Sequence, residues 1–442
     1  MNCLLFFLSH TFLIELKITT THFVINIKRS IFVDMKIHNK ILLALITVTT
    51  LLCSCGEDRS SEFYDLTKEN RWIYDTMKEL YLWKDFMVEP ESNIYFAENS
   101  KFFSQILNKE DKASSFADET VSISYGMKVS LLRDPLGISP ARVYALVESV
   151  EPSSVAGIAG IRRGMYISTI DGRNLNMGSN APLSKGEGIE VGVSEIVFDT
   201  ETNTHIWSEE QTITIAPATA VVTTPLSLST IIEEPTGKIG YMQCNNFDGT
   251  ESVSNIQSIL SDFVSDGVND IVIDFRYNDS QSLISASEIA AMLVPADKQG
   301  TPFCTLYKNL DLTEKEDILI PQTDFNVGDK GIYIITSAQT KGMANALIRA
   351  LNNKIPSGVC VVGKTATGNN IFTERVESPY MFAINIATAL IYDANNELLQ
   401  PLEPNYILEE FNDYKNIYPL GNKDEYLLSC IRYIIANGAL PE

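Results

Sequence analysis

The stretch from Gly331 to Phe372 constrains the fold more than any other part of the chain. Ile332 to Ile335 is a short β-branched apolar run, the signature of a buried strand. After a turn, Ala344 to Leu351 is rich in helix formers, with Leu347, Ile348 and Leu351 on one face. Val359 to Val362 is a second buried-strand pattern, and Gly363 and Gly368 punctuate the loop beyond it. The order strand, turn, helix, strand, glycine loop predicts an α/β core.

At 442 residues the chain is long enough for two or three domains. A hydrophobic fraction of 45% suits globular cores. A formal charge of −22 argues against a nucleic-acid partner and against adhesion to an anionic membrane surface.

The N-terminus reads as a targeting segment. Met35 to Lys40 is a basic start, and Ile41 to Leu52 is mostly apolar and short for a spanning helix. Leu52-Cys53-Ser54-Cys55 then resembles a bacterial lipobox with Cys55 as the lipidated residue. Glu57 and Asp58 resemble the acidic tag that sends some lipoproteins to the outer surface. Residues 1–54 are therefore read as leader and lipoprotein signal peptide, and 1–34 are set aside from the fold. The expected address is the cell envelope, as an outer-membrane lipoprotein with surface exposure.

Of four histidines, His10, His22 and His38 fall in that leader. Only His205 remains to build a Ser-His-Asp triad or a histidine metal site, and it sits in a polar run, Thr200 to Glu210, that reads as an exposed hairpin. Cys244, Cys304, Cys360 and Cys430 form no C-x-x-C pair, and Cys304 and Cys360 read as buried free thiols. No metal and no cofactor is expected.

The Gly331–Phe372 layout resembles the core of the tail-specific, or carboxyl-terminal-processing, serine proteases. Those enzymes carry T-A-S-A-S-E at the helix start, with the first serine as nucleophile, and G-E-x-T-x-G-K later, with the lysine as general base. A lysine held in a dry site loses its proton readily and can activate a hydroxyl. Here the first motif reads Thr340-Lys341-Gly342-Met343-Ala344-Asn345, and the second Gly363-Lys364-Thr365-Ala366-Thr367-Gly368-Asn369. Gly342 stands at the nucleophile position and Asn369 at the base position. Upstream, Asp274-Phe275-Arg276-Tyr277-Asn278 matches the family's D-[LF]-R-x-N strand end, but Asp279-Ser280-Gln281 replaces the G-G-G that helps form an oxyanion hole. An aspartate there opposes the charge the hole must stabilise. Some members use a glutamine four residues after the lysine, and that position is Thr373. Ser337 and Lys364 are the residues from which a displaced dyad could be built.

The rest of the chain follows the same resemblance. Trp72, Ile73, Met77, Leu80 and Tyr81 recur at helical spacing within a helix expected over Ser60 to Met87, and a second helix is expected from Phe102 to Lys112. Arg142 to Val150, the P-S-S-V-A segment from Pro152, the Gly160-Ile161-Arg162-Arg163-Gly164 turn and Tyr166 to Gly172 resemble a PDZ domain. Ser124-Tyr125-Gly126-Met127 resembles its carboxylate-binding loop, whose N–H groups hold a peptide's terminus while the peptide adds a strand. Whether this is a live groove with Tyr125, Gly126 and Met127 as binding residues, or only a structural β-domain, stays open on sequence. Insertions at Asn176 to Glu187 and Glu201 to Glu210 could reshape it.

The expected architecture is thus α/β and multidomain. It comprises a helical region at 55–118, a PDZ-like domain at 119–225 and a crotonase- or ClpP-like ββα core at 226–442. The leading functional reading is a lipid-anchored, non-catalytic relative that binds a peptide or protein segment, with a C-terminus as one such segment. The alternatives are an active serine-type peptidase with a displaced Ser/Lys dyad, and a structural surface lipoprotein. The sequence leaves the oligomeric state open.

Overall fold

The computed structural model describes residues 60–117, 123–178, 183 and 186–441. The proposed lipidation site Cys55, the leader and part of the Asn176–Glu187 insertion lie outside the described residues. The chain divides into two compact units, Met1–Lys68 and Glu69–Glu442, and the account below concerns the second. Among the described residues no helix is long and apolar enough to cross a membrane.

Helix α1 (Ser60–Leu80) ends seven residues earlier than the pattern predicted, and the chain turns through a 3-10 segment at Lys84–Phe86. Ile73, Tyr74 and Met77 of α1 bury against Phe102 and Phe103 of α2 (Asn99–Ile106). α2 also stops short of the expected Lys112. Leu107 is extended, the Asn108 amide donates to the Tyr81 hydroxyl, and the Asn108 and Asp111 side chains accept from later amides in turns.

A β-rich unit follows. Its strands are β1 (Met127–Arg133), β2 (Val143–Val150), β3 (Tyr166–Ile170), β4 (Ile189–Ser194) and β5 (Gln211–Ile215). They pair antiparallel in the order β5-β4-β3-β2-β1, which leaves β1 at an edge. A short helix α3 (Val155–Ile158) is capped by the Ser154 hydroxyl, which accepts from the Gly157 amide. Between β4 and β5 the expected hairpin is present, as Ile196–Asp199 paired with Thr204–Trp207. Residues 200–204, 206, 209 and 210 are exposed, as expected, while His205 and Trp207 make contacts. Trp207 stacks on Tyr144 at 4.4 Å, and His205 Nε2 lies 3.1 Å from Asn416 Oδ1.

The core sheet runs β6 (Leu226–Glu234), β7 (Gly237–Cys244), β8 (Asp270–Asp274), β11 (Gly331–Thr336), β12 (Cys360–Gly363), β15 (Tyr406–Ile407) in spatial order. β6 and β7 are antiparallel, and every later pairing is parallel. Parallel strands need apolar residues on both faces, and β8 supplies them: Ile271 and Ile273 face one core cluster, Val272 the other. Helices α4 (Thr250–Ser265), α5 (Leu283–Leu293) and α6 (Met343–Lys354) cover the first face, and α7 (Tyr426–Asn437) the second. A second, antiparallel sheet pairs β9 (Pro302–Tyr307), β10 (Lys315–Leu319), β13 (Ile371–Glu377) and β14 (Ala383–Asp393) with Ser115–Ala117. The Gly331–Phe372 reading is therefore realised as β11, α6, β12 and the start of β13. Cys304 is buried as expected, while Cys360 is only half-buried, and both are free thiols.

Candidate functional site

The turn between β11 and α6 is held from several sides. Thr340 is fully buried, and its hydroxyl donates to the Phe275 carbonyl at 2.8 Å and accepts from the Ser337 amide at 2.9 Å. Its carbonyl accepts from the Thr367 amide at 2.9 Å, which ties the glycine loop to the same turn. Gly342 then caps α6 with φ +66 and ψ −139, a conformation glycine adopts without strain.

The loop after β8 closes over that cap. The Met343 amide, the first N–H of α6, donates to the Ser280 carbonyl at 2.8 Å, and the Lys341 amide donates to the Asn278 carbonyl at 3.0 Å. Helix N-termini attract anions because their amides are unpaired. Here the leading amide is already paired with a backbone oxygen. A Cβ at 342 would lie 2.1 Å from the Ser280 carbonyl oxygen and 2.7 Å from the Gln281 amide nitrogen. The volume that a side chain at 342 would occupy is filled by the Ser280 carbonyl and the Gln281 side-chain amide, which donates to the Asp279 carbonyl at 2.7 Å.

Ser280 is structural. It is fully buried, and its hydroxyl accepts from the Phe247 amide at 2.8 Å. Asp279 is exposed. Asn369 is half-buried and follows Gly368. A Cβ on Gly368 would meet the Asn345 side chain at 2.1 Å. Asn345 in turn donates to the Gln400 carbonyl and accepts from Arg349, so it ties the segment at Gln400 to α6 while Gly368 packs against it. Thr373 lies within β13, paired with Ala387.

The two residues from which a displaced dyad could be built are engaged elsewhere. The Ser337 hydroxyl donates to the Arg276 carbonyl and accepts from the Gln339 amide. Lys364 Nζ pairs with Glu409 at 2.6 Å on the surface. The structure does not bring this hydroxyl and this amine together. Their nearness in sequence to the degenerate motifs reflects turn formation for Ser337 and a surface ion pair for Lys364.

Gly126 and Met127 share a cleft with Asp279 but not with Gly342, Ser280 or Asn369. They line a cleft of about 700 Å³ whose opposite wall includes Leu228, Tyr277 and Asp279. Gly126 takes φ +77 and packs so closely on Ser154 that a Cβ would lie 2.1 Å from it. Tyr125 lies behind them, buried, with its hydroxyl on the Glu187 carbonyl. Lys128 crosses the cleft from β1: its ammonium donates to Gln339 Oε1 at 2.6 Å and sits 4.9 Å from the centre of the Tyr277 ring. Desolvation draws its pKa below the ordinary value, with Asp279 opposing and Lys341 adding to the depression.

Behind the cleft is a buried ionic hub that motif reading missed. Arg276 is fully buried and meets Asp274, Glu410 and Glu425, the last through two nitrogens. Arg163 reaches in from the β-rich unit, 2.7 Å from Glu410, and Tyr277 donates to the same carboxylate at 2.5 Å. Burial pushes the Glu410 carboxyl up, but Arg276, Arg163 and the Tyr277 hydroxyl outweigh it and hold it below the usual range. Among the described residues no group of three or more His, Cys, Asp or Glu side chains is placed to hold a metal ion.

Comparison with known proteins fits this geometry. The profile described as peptidase family S41 matches residues 238–408, and that of the peptidase S41 N-terminal domain matches 68–118, together about half the chain. A crystal structure of a Bacteroides fragilis NCTC 9343 protein assigned to the S41 proteases aligns with TM-score 0.70 and 25% identity. It covers 84% of this chain and 98% of its own. The photosystem II D1 C-terminal processing protease aligns at TM-score 0.48 and 14% identity, over 78% of this chain and 93% of its own. A comparison with curated proteins finds no match. The fold, the D-F-R-x-N strand end with its buried arginine, and these profile matches place the chain in peptidase family S41, the tail-specific serine proteases.

Proposed function

We propose that this S41 member is a non-catalytic, lipid-anchored cell-envelope protein whose cleft holds a peptide or protein segment. The observation that carries the reading is the Met343 amide donating to the Ser280 carbonyl beside a glycine at 342. A serine-type hydrolase needs a nucleophile at that point and free donors for the oxyanion. This chain has no side chain there, and a backbone oxygen occupies the leading donor. At the base position, Asn369 accepts no proton near neutral pH.

Binding is supported by the cleft itself and by β1, an edge strand among the described residues, whose Met127 and Lys128 line it. An edge strand beside a groove is suited to strand addition by an extended peptide. On this reading 119–225 is a PDZ-like domain with Gly126 and Met127 at its carboxylate loop, 226–442 a crotonase- or ClpP-like core, and 55–118 the helical region that joins Cys55 to them. The anchor places the protein in the outer membrane.

The purified mature protein should bind a peptide with a free, apolar C-terminus in the micromolar range, about 8 kcal/mol. Amidating the peptide's carboxylate should abolish binding, and equal affinity for both forms would refute the carboxylate loop. Labelled palmitate should enter the wild-type protein in its host and be absent from Cys55→Ala. Unlabelled wild-type protein would refute the anchor.

A further inference from the structure

A second groove lies in the helical region, apart from the cleft. After α1 the chain makes the Lys84–Phe86 turn, runs on to a second 3-10 turn at Ile94–Phe96, and returns as α2. Between the 83–91 run and the end of α2 is a groove of about 350 Å³, within the roughly 300–1,000 Å³ range of ligand pockets. Trp83, Met87 and Ile106 form its more buried lining. Phe86 and Val88 also line it yet are 65% and 84% exposed. Single exposed apolar side chains are ordinary, whereas two large ones on one groove mark a contact surface.

The charge of the groove is one-sided. Glu89 and Glu91 line it, both are exposed, and neither has an ion-pair partner among the described residues. No Lys or Arg lines it, and the adjacent Lys84 is directed to Glu314 at 3.9 Å. A second copy of a chain carrying −22 would bring like charge to this patch. We propose that the groove docks a basic, apolar stretch of a partner polypeptide. An apolar side chain of the partner enters between Trp83 and Ile106, and a Lys or Arg reaches Glu89 and Glu91.

The test uses the full mature protein and a fluorescent twelve-residue peptide of alternating Leu and Lys, read by anisotropy. Binding should weaken about tenfold in Glu89→Gln/Glu91→Gln, and likewise in Phe86→Ser, and should fall with added salt. The double change removes only two charges from an excess of 22, so general attraction to an acidic protein would barely change. Asp262→Asn/Asp266→Asn, which removes two exposed charges at the end of α4, should leave binding unchanged. The proposal is overturned by equal binding to the groove variants, by equal binding of a control peptide with Glu in place of every Lys, or by no binding up to about 1 mM. It is also overturned by a concentration-dependent dimer of the wild type that Phe86→Ser abolishes, which would make a second copy the occupant.

Discussion

Residues 274–278 and residues 279–281 leave the same end of β8 and have diverged in opposite senses. The first segment keeps the family pattern and is over-determined: Arg276 meets three carboxylates, and Asn278 ties the strand end to Cys244 and Ser280. The second reads Asp-Ser-Gln, and its Ser280 carbonyl accepts from the leading amide of α6. The contrast teaches that in this fold architecture and chemistry are separable over a few residues. The hub joins the β-rich unit to the core through side chains. The catalytic face depends on backbone groups staying free, and a carbonyl that turns inward removes them without disturbing the sheet.

The comparison breaks most visibly at the hub. Arg276→Met leaves Asp274, Glu410 and Glu425 buried beside a single remaining arginine, and should cost about 3–5 kcal/mol. A fall in the urea midpoint measures it, and an unchanged midpoint would show that the hub does not hold the fold. At the degenerate site, Gly342→Ser should destabilise by about 1–3 kcal/mol, since the serine must hold a positive φ and displace the Ser280 carbonyl. It should confer no hydrolysis, even with Asn369→Lys added. A Gly342→Ser protein as stable as wild type would mean that the 279–281 loop moves aside easily.

The pH dependence sharpens the hub's role. Glu410 is held below its ordinary value near 4.5, so its contribution is full above that value and is lost as pH falls through the lower, folded one. Stability should therefore drop more steeply below about pH 4.5 in wild type than in Glu410→Gln, which starts lower and titrates less. Parallel curves would contradict this. The smallest effects concern the displaced-dyad residues. Ser337→Ala should cost about 1 kcal/mol for its lost turn bonds. Lys364→Ala, which loses only an exposed ion pair, should lie within about 0.5 kcal/mol of wild type.

Much of this was readable before any coordinates. Short apolar β-branched runs located β11 and β12, and helix formers with one apolar face located α6, because burial dictates those patterns directly, while the family motif marked the end of β8. The positions of Gly342, Asn369 and Asp279 were readable because a motif fixes its own spacing. The capping of Met343 by Ser280 was not, since a backbone carbonyl leaves no trace in residue identity. The hub was equally hidden: Arg163 and Glu410 meet across 247 residues of sequence, and neither belongs to a catalytic motif. Ser337 and Lys364 illustrate the converse. They lie close to the degenerate motifs in sequence, yet their polar atoms point to different partners.

The proposal holds that a carbonyl and a glycine stand where a nucleophile and an oxyanion would be, so that no acyl-enzyme forms in this core. Incubating the mature protein with an unstructured polypeptide and a fluorophosphonate probe, then measuring intact mass and fragment release, tests it directly. The account predicts no adduct and no fragments beyond a protein-free control. An adduct on a core serine, with cleavage that disappears when Ser337 or Lys364 is changed to alanine, would contradict it.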